Sequence, residues 1–190
     1  MVSYAPYFIS TVVLVGMLNQ FFDMQTGFVN YVITGLGGSR VNFMGIPSLF
    51  RSMYVWSGIW QSAGYGAIIY LAALSGIDVS LIEAATIDGA NRFQRVINIE
   101  LPGISPTIVI LLLLSIGGLL GIGFEKIYLM QNPFNLEQSE IISTYVYKIG
   151  LQNYDVAFAT AIGLFNSVVS MFLLICANML SKKVSETSLW

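Results

Sequence analysis

The sequence has no histidine, a single cysteine and few charged residues, and these shortages exclude several classes of protein. One cysteine cannot form a disulfide framework, and without histidine a Cys/His metal site is excluded as well. An intramembrane enzyme needs convergent His, Asp or Cys groups at membrane depth, which this composition does not supply. A net charge of −2 leaves no basic surface for nucleic acid. We therefore expect no catalytic residue, no metal, no cofactor and no nucleic-acid partner.

Two sequence motifs are also missing. The chain contains no Gly-x-x-x-x-Gly-Lys-Ser/Thr phosphate loop, so this nucleotide-binding motif is missing. The first apolar run has no positively charged segment before it, unlike a cleavable signal peptide.

Hydrophobic residues dominate what is present. They make up 56% of the 190 residues, and the mean hydropathy is +0.76, outside the range of ordinary globular proteins. Four apolar runs each approach the roughly 20 residues that cross the hydrocarbon core of a bilayer. The runs are Tyr4–Phe22, Met53–Leu74, Ile104–Ile122 and Val156–Leu180. They predict an all-α polytopic membrane protein, a transmembrane helical bundle with about four spans.

Two longer polar segments separate these runs. Asp23–Phe50 contains Gly and Asn and is weakly periodic, so we expect a loop with at most one interfacial turn. Gly123–Tyr154 carries several charges, which we interpret as a solvated face. Within it, Ile141–Leu151 has the pattern of a short amphipathic helix lying at the membrane surface. A short polar tail follows Lys183.

The stretch Glu83–Pro102 is polar and charged, and it lies between two long apolar runs. We expect Ser80 to cap a first helix, with Glu83 reaching back to the cap three residues later. Gly89 is placed to end that helix, because glycine accepts a positive φ without a Cβ clash. Pro102 is expected to end a second amphipathic limb by restricting the residue before it. The stretch predicts a helix–turn–helix elbow.

The elbow also carries a family resemblance. The pattern consists of Glu83-Ala84-Ala85, three residues, Gly89, nine residues, Ile99, one residue, Leu101 and Pro102. With every fixed position filled, it resembles the EAA loop of ATP-binding-cassette importer permeases. The phrases Ile87-Asp88-Gly89-Ala90 and Tyr147-Lys148-Ile149-Gly150-Leu151 resemble the carbohydrate branch, in particular permeases of the oligosaccharide and polysaccharide type.

The resemblance implies how the chain would work. Residues 80–102 would be a cytoplasmic coupling-helix loop docked on a separate ATPase subunit, which hydrolyses the ATP. The positions expected to form that contact are Glu83, Ala84, Ala85, Ile87, Gly89, Ile99, Leu101 and Pro102. The chain itself would be a transporter permease, not an enzyme, in a bacterial plasma membrane.

The same resemblance implies an assembly. We expect two ATPase subunits, a second homologous permease, an extracytoplasmic solute-binding protein, surrounding lipid, and a sugar or oligosaccharide as substrate. Such permeases have about six spans, so residues 1–190 are interpreted as a permease transmembrane domain with an N-terminal truncation that removes the first spans.

Charge counting does not orient the spans, because each side of the predicted membrane receives four basic residues. The elbow side has Arg92, Arg95, Lys182 and Lys183, and the opposite side has Arg40, Arg51, Lys126 and Lys148. The cytoplasmic position of the elbow therefore follows from the resemblance.

Polar and aromatic residues inside the spans are candidates for a substrate path. They are Trp60, Gln61 and Tyr65 in the second run and Asn166 in the last. Polar groups at membrane depth face a cavity or another helix. The rings and amides would then line a sugar path. Alternatively, the tryptophan belongs to an interfacial aromatic belt and Gln61 bonds a neighbouring helix.

Two other functions, secondary transport and a membrane scaffold, would be expected to leave different features in the sequence. A secondary transporter driven by an ion gradient usually has ionisable groups within its spans, but here Asp23 and Asp155 lie only at span edges. A non-transporting membrane scaffold would give the elbow no reason to match a spaced pattern. Co-purification of an ATPase subunit separates the importer from these alternatives.

Overall fold

The computed structural model describes residues 2–121 and 123–185, and these fold into helices with no β-strand among them. The helices are α1 Thr11–Phe21, α2 Phe28–Gly35, α3 Pro47–Ser75, α4 Val79–Ile87, α5 Arg92–Gly117, α6 Phe124–Met130, α7 Leu136–Ser139, α8 Ile142–Tyr147 and α9 Val156–Ser185. Short 3₁₀ segments occur at Val2–Phe8, Phe43–Gly45 and Leu119–Gly121. The predicted all-α class is confirmed. Ile122, the expected end of the third span, and tail residues 186–190 lie outside the described residues.

Two helices of the described chain are long and apolar enough to cross a membrane, namely Arg92–Gly117 and Val156–Lys183. A third candidate is formed by α3 together with α4, which are bent by 71° at the short break between them. These elements contain the second and fourth predicted runs and the third as far as Gly117. The apolar runs thus identify the long helices.

The first predicted span, Tyr4–Phe22, is wrong as a continuous helix. Pro6 lies in the 3₁₀ segment, and the Ser10 side chain then caps a new helix by accepting the Val13 N–H at 3.3 Å. The resulting α1 has 11 residues and a length of about 16 Å, roughly half of the hydrocarbon thickness. A local cap at Ser10 has therefore divided a mainly apolar run.

The segment predicted as a loop, Asp23–Phe50, is more ordered than expected. It contains α2, and α3 already begins at Pro47. Asn30 of α2 is buried, and its side-chain amide donates to the carbonyls of Asp23 and Val41, both at 2.9 Å. It also accepts the Val41 N–H at 2.8 Å. The buried Asn30 amide therefore holds both Asp23 and Val41, which lie on either side of α2, by hydrogen bonds.

The polar segment after α5 exposes Glu125, Glu137 and Glu140, which agrees with our interpretation of a solvated face, but it buries Lys126. Its buried polar side chains are Lys126, Asn135, Ser139 and Thr144. The Asn135 amide donates to the carbonyls of Met44 and Met130, both at 3.0 Å, and accepts from the Asn132 N–H and the Ser139 hydroxyl. Since buried amides are costly unless hydrogen-bonded, this network holds the segment in one conformation.

The predicted amphipathic helix Ile141–Leu151 forms as α8, followed by a π-helical turn at Lys148–Gln152. Its Thr144 side chain is fully buried, and the hydroxyl donates to the Glu140 carboxylate at 2.7 Å. The same carboxylate pairs with Lys148 at 2.8 Å. This helix is therefore anchored by polar contacts within the protein.

The described chain divides into two compact units. The first joins residues up to Tyr65 with Gly121–Gly163, and its core contains Val15, Phe50, Ile127 and Met130. The second joins Gly66–Leu120 with residues from Leu164 onward. In the second unit α5 packs on α9 where Gly117 lies beside Leu174.

We predict that Asn135→Ala destabilises the protein, because it leaves the Met130 carbonyl and the Asn132 N–H without their side-chain partner, while the Met44 carbonyl keeps only the Asn132 amide. The expected loss is on the order of 3 kcal/mol, or about 8 °C in apparent unfolding temperature. Tryptophan fluorescence in detergent measures this transition. Asn153→Ala, at an exposed site, is the matched control and should leave the temperature unchanged. Equal transitions for the two variants would contradict the assigned role of the amide.

Candidate functional site

The elbow predicted from sequence is present, but its first helix starts earlier than expected. Asp78 is the N-cap of α4, and its carboxylate accepts the Ser80 N–H at 2.9 Å. This hydrogen bond lowers the pKa of Asp78. The predicted cap at Ser80, with Glu83 reaching back to it, is wrong because the carboxylate two residues earlier satisfies the helix N-terminus. Glu83 is exposed on α4, and its side chain makes no hydrogen bond to any residue that the structure describes.

The turn predicted at Gly89 is confirmed. Gly89 has φ +75°, a conformation that residues with a Cβ rarely adopt. Its N–H donates to the Thr86 carbonyl at 3.1 Å, and the Ala90 N–H donates to the Ala85 carbonyl at 2.9 Å. This pair of hydrogen bonds is the Schellman motif, which satisfies carbonyls at the end of α4.

The second limb of the elbow has its own cap and a tether to the first. Asn91 and Gln94 form a capping box, with reciprocal side-chain to backbone hydrogen bonds of 2.8 and 2.9 Å. Arg95 then reaches back across the turn and donates from Nη1 to the Thr86 hydroxyl at 3.3 Å. The two limbs are therefore joined by a side-chain contact as well as by the turn.

Pro102 does not end the second limb, contrary to prediction. Arg92–Gly117 is one helix, with a π-helical turn at Val96–Glu100 immediately before the proline. Within it the Leu101 N–H donates to the Val96 carbonyl, five residues back. Proline lacks an N–H and its ring clashes with the carbonyl four residues earlier, so a wider turn lets the helix continue. The elbow is consequently continuous with the membrane helix.

Apolar side chains project from the elbow into solvent. Ile87 at the end of α4 is 86% exposed and Phe93 on the second limb is 73% exposed. Ala84 lies exposed beside Ile87, and Ala85 is half-buried. Of the remaining predicted contact positions, Leu101 and Pro102 are exposed and Ile99 is half-buried, all further along α5. The structure therefore groups Glu83 to Gly89 on the elbow and places the other three on the membrane-directed helix.

The candidate substrate-path residues lie in different surroundings. Gln61 donates from its side-chain amide to the Ile9 carbonyl at 2.8 Å, and Tyr65 stacks on Tyr7 with ring centroids 3.8 Å apart. Trp60 lines a cavity of about 390 Å³ between α1 and α3 whose walls are apolar apart from two serines. Asn166 is half-buried on α9 in the second unit.

A glycine explains how the N-terminal segment comes so close to α3. A Cβ at Gly64 would overlap the carbonyl oxygen of Ser3. The 3₁₀ segment therefore rests directly on the helix backbone, next to Gln61 and Tyr65.

The sequence reasoning missed Lys126, a basic residue that is only 8% exposed. Its Nζ donates to the Tyr54 carbonyl at 3.0 Å and lies 4.8 Å from the centre of the Tyr54 ring. The available signal was weak, since Lys126 follows Glu125 in the sequence and its nearest apolar neighbours are Phe124 and Ile127. Among the described residues no group of three His, Cys, Asp or Glu is arranged to hold a metal ion.

Comparison with known proteins gives consistent matches over almost the whole chain. The family model for binding-protein-dependent transport system inner membrane component matches residues 1–186. Protein LplB of Bacillus subtilis (strain 168) is 41% identical over 187 residues, covering 98% of this chain and 59% of the relative. The polygalacturonan/rhamnogalacturonan transport system permease protein YteP of the same organism is 40% identical, covering 98% of this chain and 58% of the relative.

A solved structure is also similar. It is the crystal structure of a bacterial alginate ABC transporter in complex with an alginate pentasaccharide-bound periplasmic protein. The TM-score is 0.93 at 41% identity, over 98% of this chain and 65% of the other. The chain thus spans about three fifths of the length of the curated relatives described above.

We predict that Thr86→Val loosens the elbow, because it removes the hydroxyl that Arg95 contacts. Loss of about 1 kcal/mol would speed hydrogen exchange at residues 88–90 about fivefold. Thr160→Val is the matched control, since both threonines donate to the carbonyl four residues back, at 2.7 and 2.8 Å. Exchange at residues 88–90 should be unchanged in the control. Unchanged exchange in Thr86→Val would show that the tether contributes nothing.

Proposed function

The chain belongs to the family of binding-protein-dependent transport system inner membrane components, and from this premise we propose that it is the permease subunit of an ATP-driven importer of oligosaccharides. Inner membrane components reside in the plasma membrane, in agreement with the long apolar helices. In the proposed importer the chain supplies the path, and ATP hydrolysis occurs on partner subunits.

The observation that carries the proposal is the geometry of the elbow. Its turn is fixed by Gly89, its surface is thin at Ala84 and Ala85, and Ile87 projects almost fully into solvent. Burying an isoleucine of this kind against a partner would contribute roughly 1.5–3 kcal/mol. An exposed isoleucine at the end of a narrow helix is suited to fill a groove on another protein.

The docked element is proposed to be the coupling loop of residues 80–102, on the cytoplasmic side, seated on an ATPase subunit. Its contact residues are Glu83, Ala84, Ala85, Ile87, Gly89, Ile99, Leu101 and Pro102. Glu83 is exposed without a partner in the described chain, so it is available to a basic group on the ATPase.

Continuity of α5 suggests how movement reaches the membrane. Since Arg92–Gly117 is helical throughout, a displacement of the elbow would be passed to the membrane helix without an intervening loop. ATP-driven closure of the ATPases would then shift the permease between two rigid-body arrangements. Such an importer requires a second permease and an extracytoplasmic binding protein, and we propose both as partners.

An oligosaccharide is the proposed substrate, because YteP is named for polygalacturonan/rhamnogalacturonan transport and the similar solved transporter for alginate. For the path we propose Gln61 and Tyr65 on α3, with Trp60 and Asn166 as further candidates. Tyr65 is 41% exposed, so part of its ring is available to a sugar face.

We predict that Gly89→Val uncouples the permease from its ATPase. A β-branched residue at positive φ costs roughly 1–2 kcal/mol and would distort the turn that presents Ile87. Co-purification of the ATPase in mild detergent should fall at least tenfold, and ATP-dependent oligosaccharide uptake should fall with it.

Gly37→Val is the matched control. Gly37 also has a positive φ, +85°, and a Cβ at either glycine would meet no atom within 4 Å. Both variants therefore carry similar backbone strain, but Gly37 lies outside the elbow. Equal ATPase capture by the two variants, or wild-type capture by Gly89→Val, would contradict the proposed docking site.

A further inference from the structure

Lys126 on α6 is a buried cation without an anionic partner. Its side chain belongs to the buried set of the first unit, and no carboxylate of the described residues lies within 4.0 Å of Nζ. Glu125, its sequence neighbour, is exposed. The structure gives the ammonium one hydrogen-bond acceptor, the Tyr54 carbonyl, although lysine has three donors.

Burial of such a group is expensive. Desolvation lowers the pKa of Lys126, because burial disfavours the charged form. A buried charge that is not paired is costly, and an apolar side chain of similar size avoids that cost. A folding role alone therefore does not account for a lysine here, and buried ionisable groups of this kind concentrate at functional sites.

The position of Lys126 relative to α3 indicates what that function is. Tyr54, Gly58, Gln61 and Tyr65 follow one another at intervals of four, three and four residues, which places them on one face of the helix. Lys126 lies against the first two, with Nζ 3.4 Å from where a Cβ of Gly58 would be. The ammonium is thus at one end of the stripe that includes the proposed path residues Gln61 and Tyr65.

This stripe has the chemistry of a binding surface for an acidic sugar chain. Tyr65 stacks on Tyr7 but is 41% exposed, so part of its ring can lie against a sugar face. The Gln61 amide donates to the Ile9 carbonyl, and its oxygen can accept from a sugar hydroxyl. A desolvated ammonium pairs strongly with a carboxylate. Glycine at position 58 leaves the space next to Nζ free of a side chain. A uronate carboxylate would supply the missing negative charge and use the free N–H donors.

We propose that Lys126 is a specificity-determining residue that binds a carboxylate of an acidic oligosaccharide on the α3 face formed by Tyr54, Gly58, Gln61 and Tyr65. This inference rests on the proposed function and narrows its substrate class to sugars that carry uronate groups.

The test measures uptake of two matched probes by the complete transporter in proteoliposomes. Oligogalacturonate carries the carboxylates, and its methyl ester has the same sugar chain without the charge. Lys126→Met should raise KM for oligogalacturonate at least tenfold and leave uptake of the ester unchanged. Lys126→Arg, which keeps the charge, should restore KM to within about threefold of wild type.

Two controls separate binding from folding. Lys148→Met removes a lysine whose partner is Glu140 in the same unit, and it should leave both probes unaffected. The unfolding temperature of Lys126→Met should equal or exceed that of wild type, because an uncompensated buried charge is removed. A lower temperature together with equal losses for both probes would assign Lys126 a purely structural role and overturn the proposal.

The remaining outcomes distinguish this inference from the function on which it rests. Unchanged KM for oligogalacturonate in Lys126→Met would overturn the role of Lys126 while oligosaccharide import stands. Uptake of the ester but not of the acid by the wild-type transporter would also overturn the role of Lys126 and leave oligosaccharide import standing. If the transporter takes up neither probe and no neutral oligosaccharide, the role of Lys126 and the proposed oligosaccharide import are both overturned.

Discussion

The backbone conformation at Gly89 is the constraint on which the functional surface depends. A positive φ at this residue lets the Gly89 and Ala90 N–H groups reach carbonyls at the end of α4. Because α4 ends there, Ile87 projects outward and Asn91 can begin a new helix two residues later. The direction of α5, and of the membrane helix that continues from it, follows from that turn.

Contacts within the elbow also hold its two limbs together. Arg95 connects its limbs through Thr86, and the π-helical turn before Pro102 keeps α5 continuous where a regular α-helix would meet a steric clash. An interruption at this proline would place a flexible joint between the proposed docking surface and the membrane helix. The observed helix is instead continuous from Arg92 to Gly117.

Polar groups are scarce in this chain. In the first unit, few of the buried polar side chains lack a hydrogen-bond partner. Asn30 and Asn135 each make several hydrogen bonds to backbone groups distant in sequence, so they order segments that lack a large apolar core. Lys126 differs from them, since it has one acceptor and no counter-charge in the described chain. Because of this contrast, we assign a structural role to the two amides and propose ligand binding for the Lys126 ammonium.

The parts of the fold that depend on local chemistry were predictable, and those that depend on distant partners were not. Spacing alone placed the turn at Gly89, and apolar length located α3, α5 and α9. The break after the first 3₁₀ segment was missed because a single serine cap divides a run that is mainly apolar on both sides of it. Burial of Asn135 and Lys126 involves carbonyls 91 and 72 residues away, which no local pattern reveals.

Photo-crosslinking from position 87 tests the central claim most directly. Ile87 is replaced by a benzophenone amino acid in the complete transporter, and Leu36, an equally exposed side chain in the first unit at 84% exposure, is replaced as the control. The account predicts a covalent adduct between position 87 and an ATP-hydrolysing subunit, and none from position 36. Adducts from position 87 only to lipid or to other membrane subunits would contradict it.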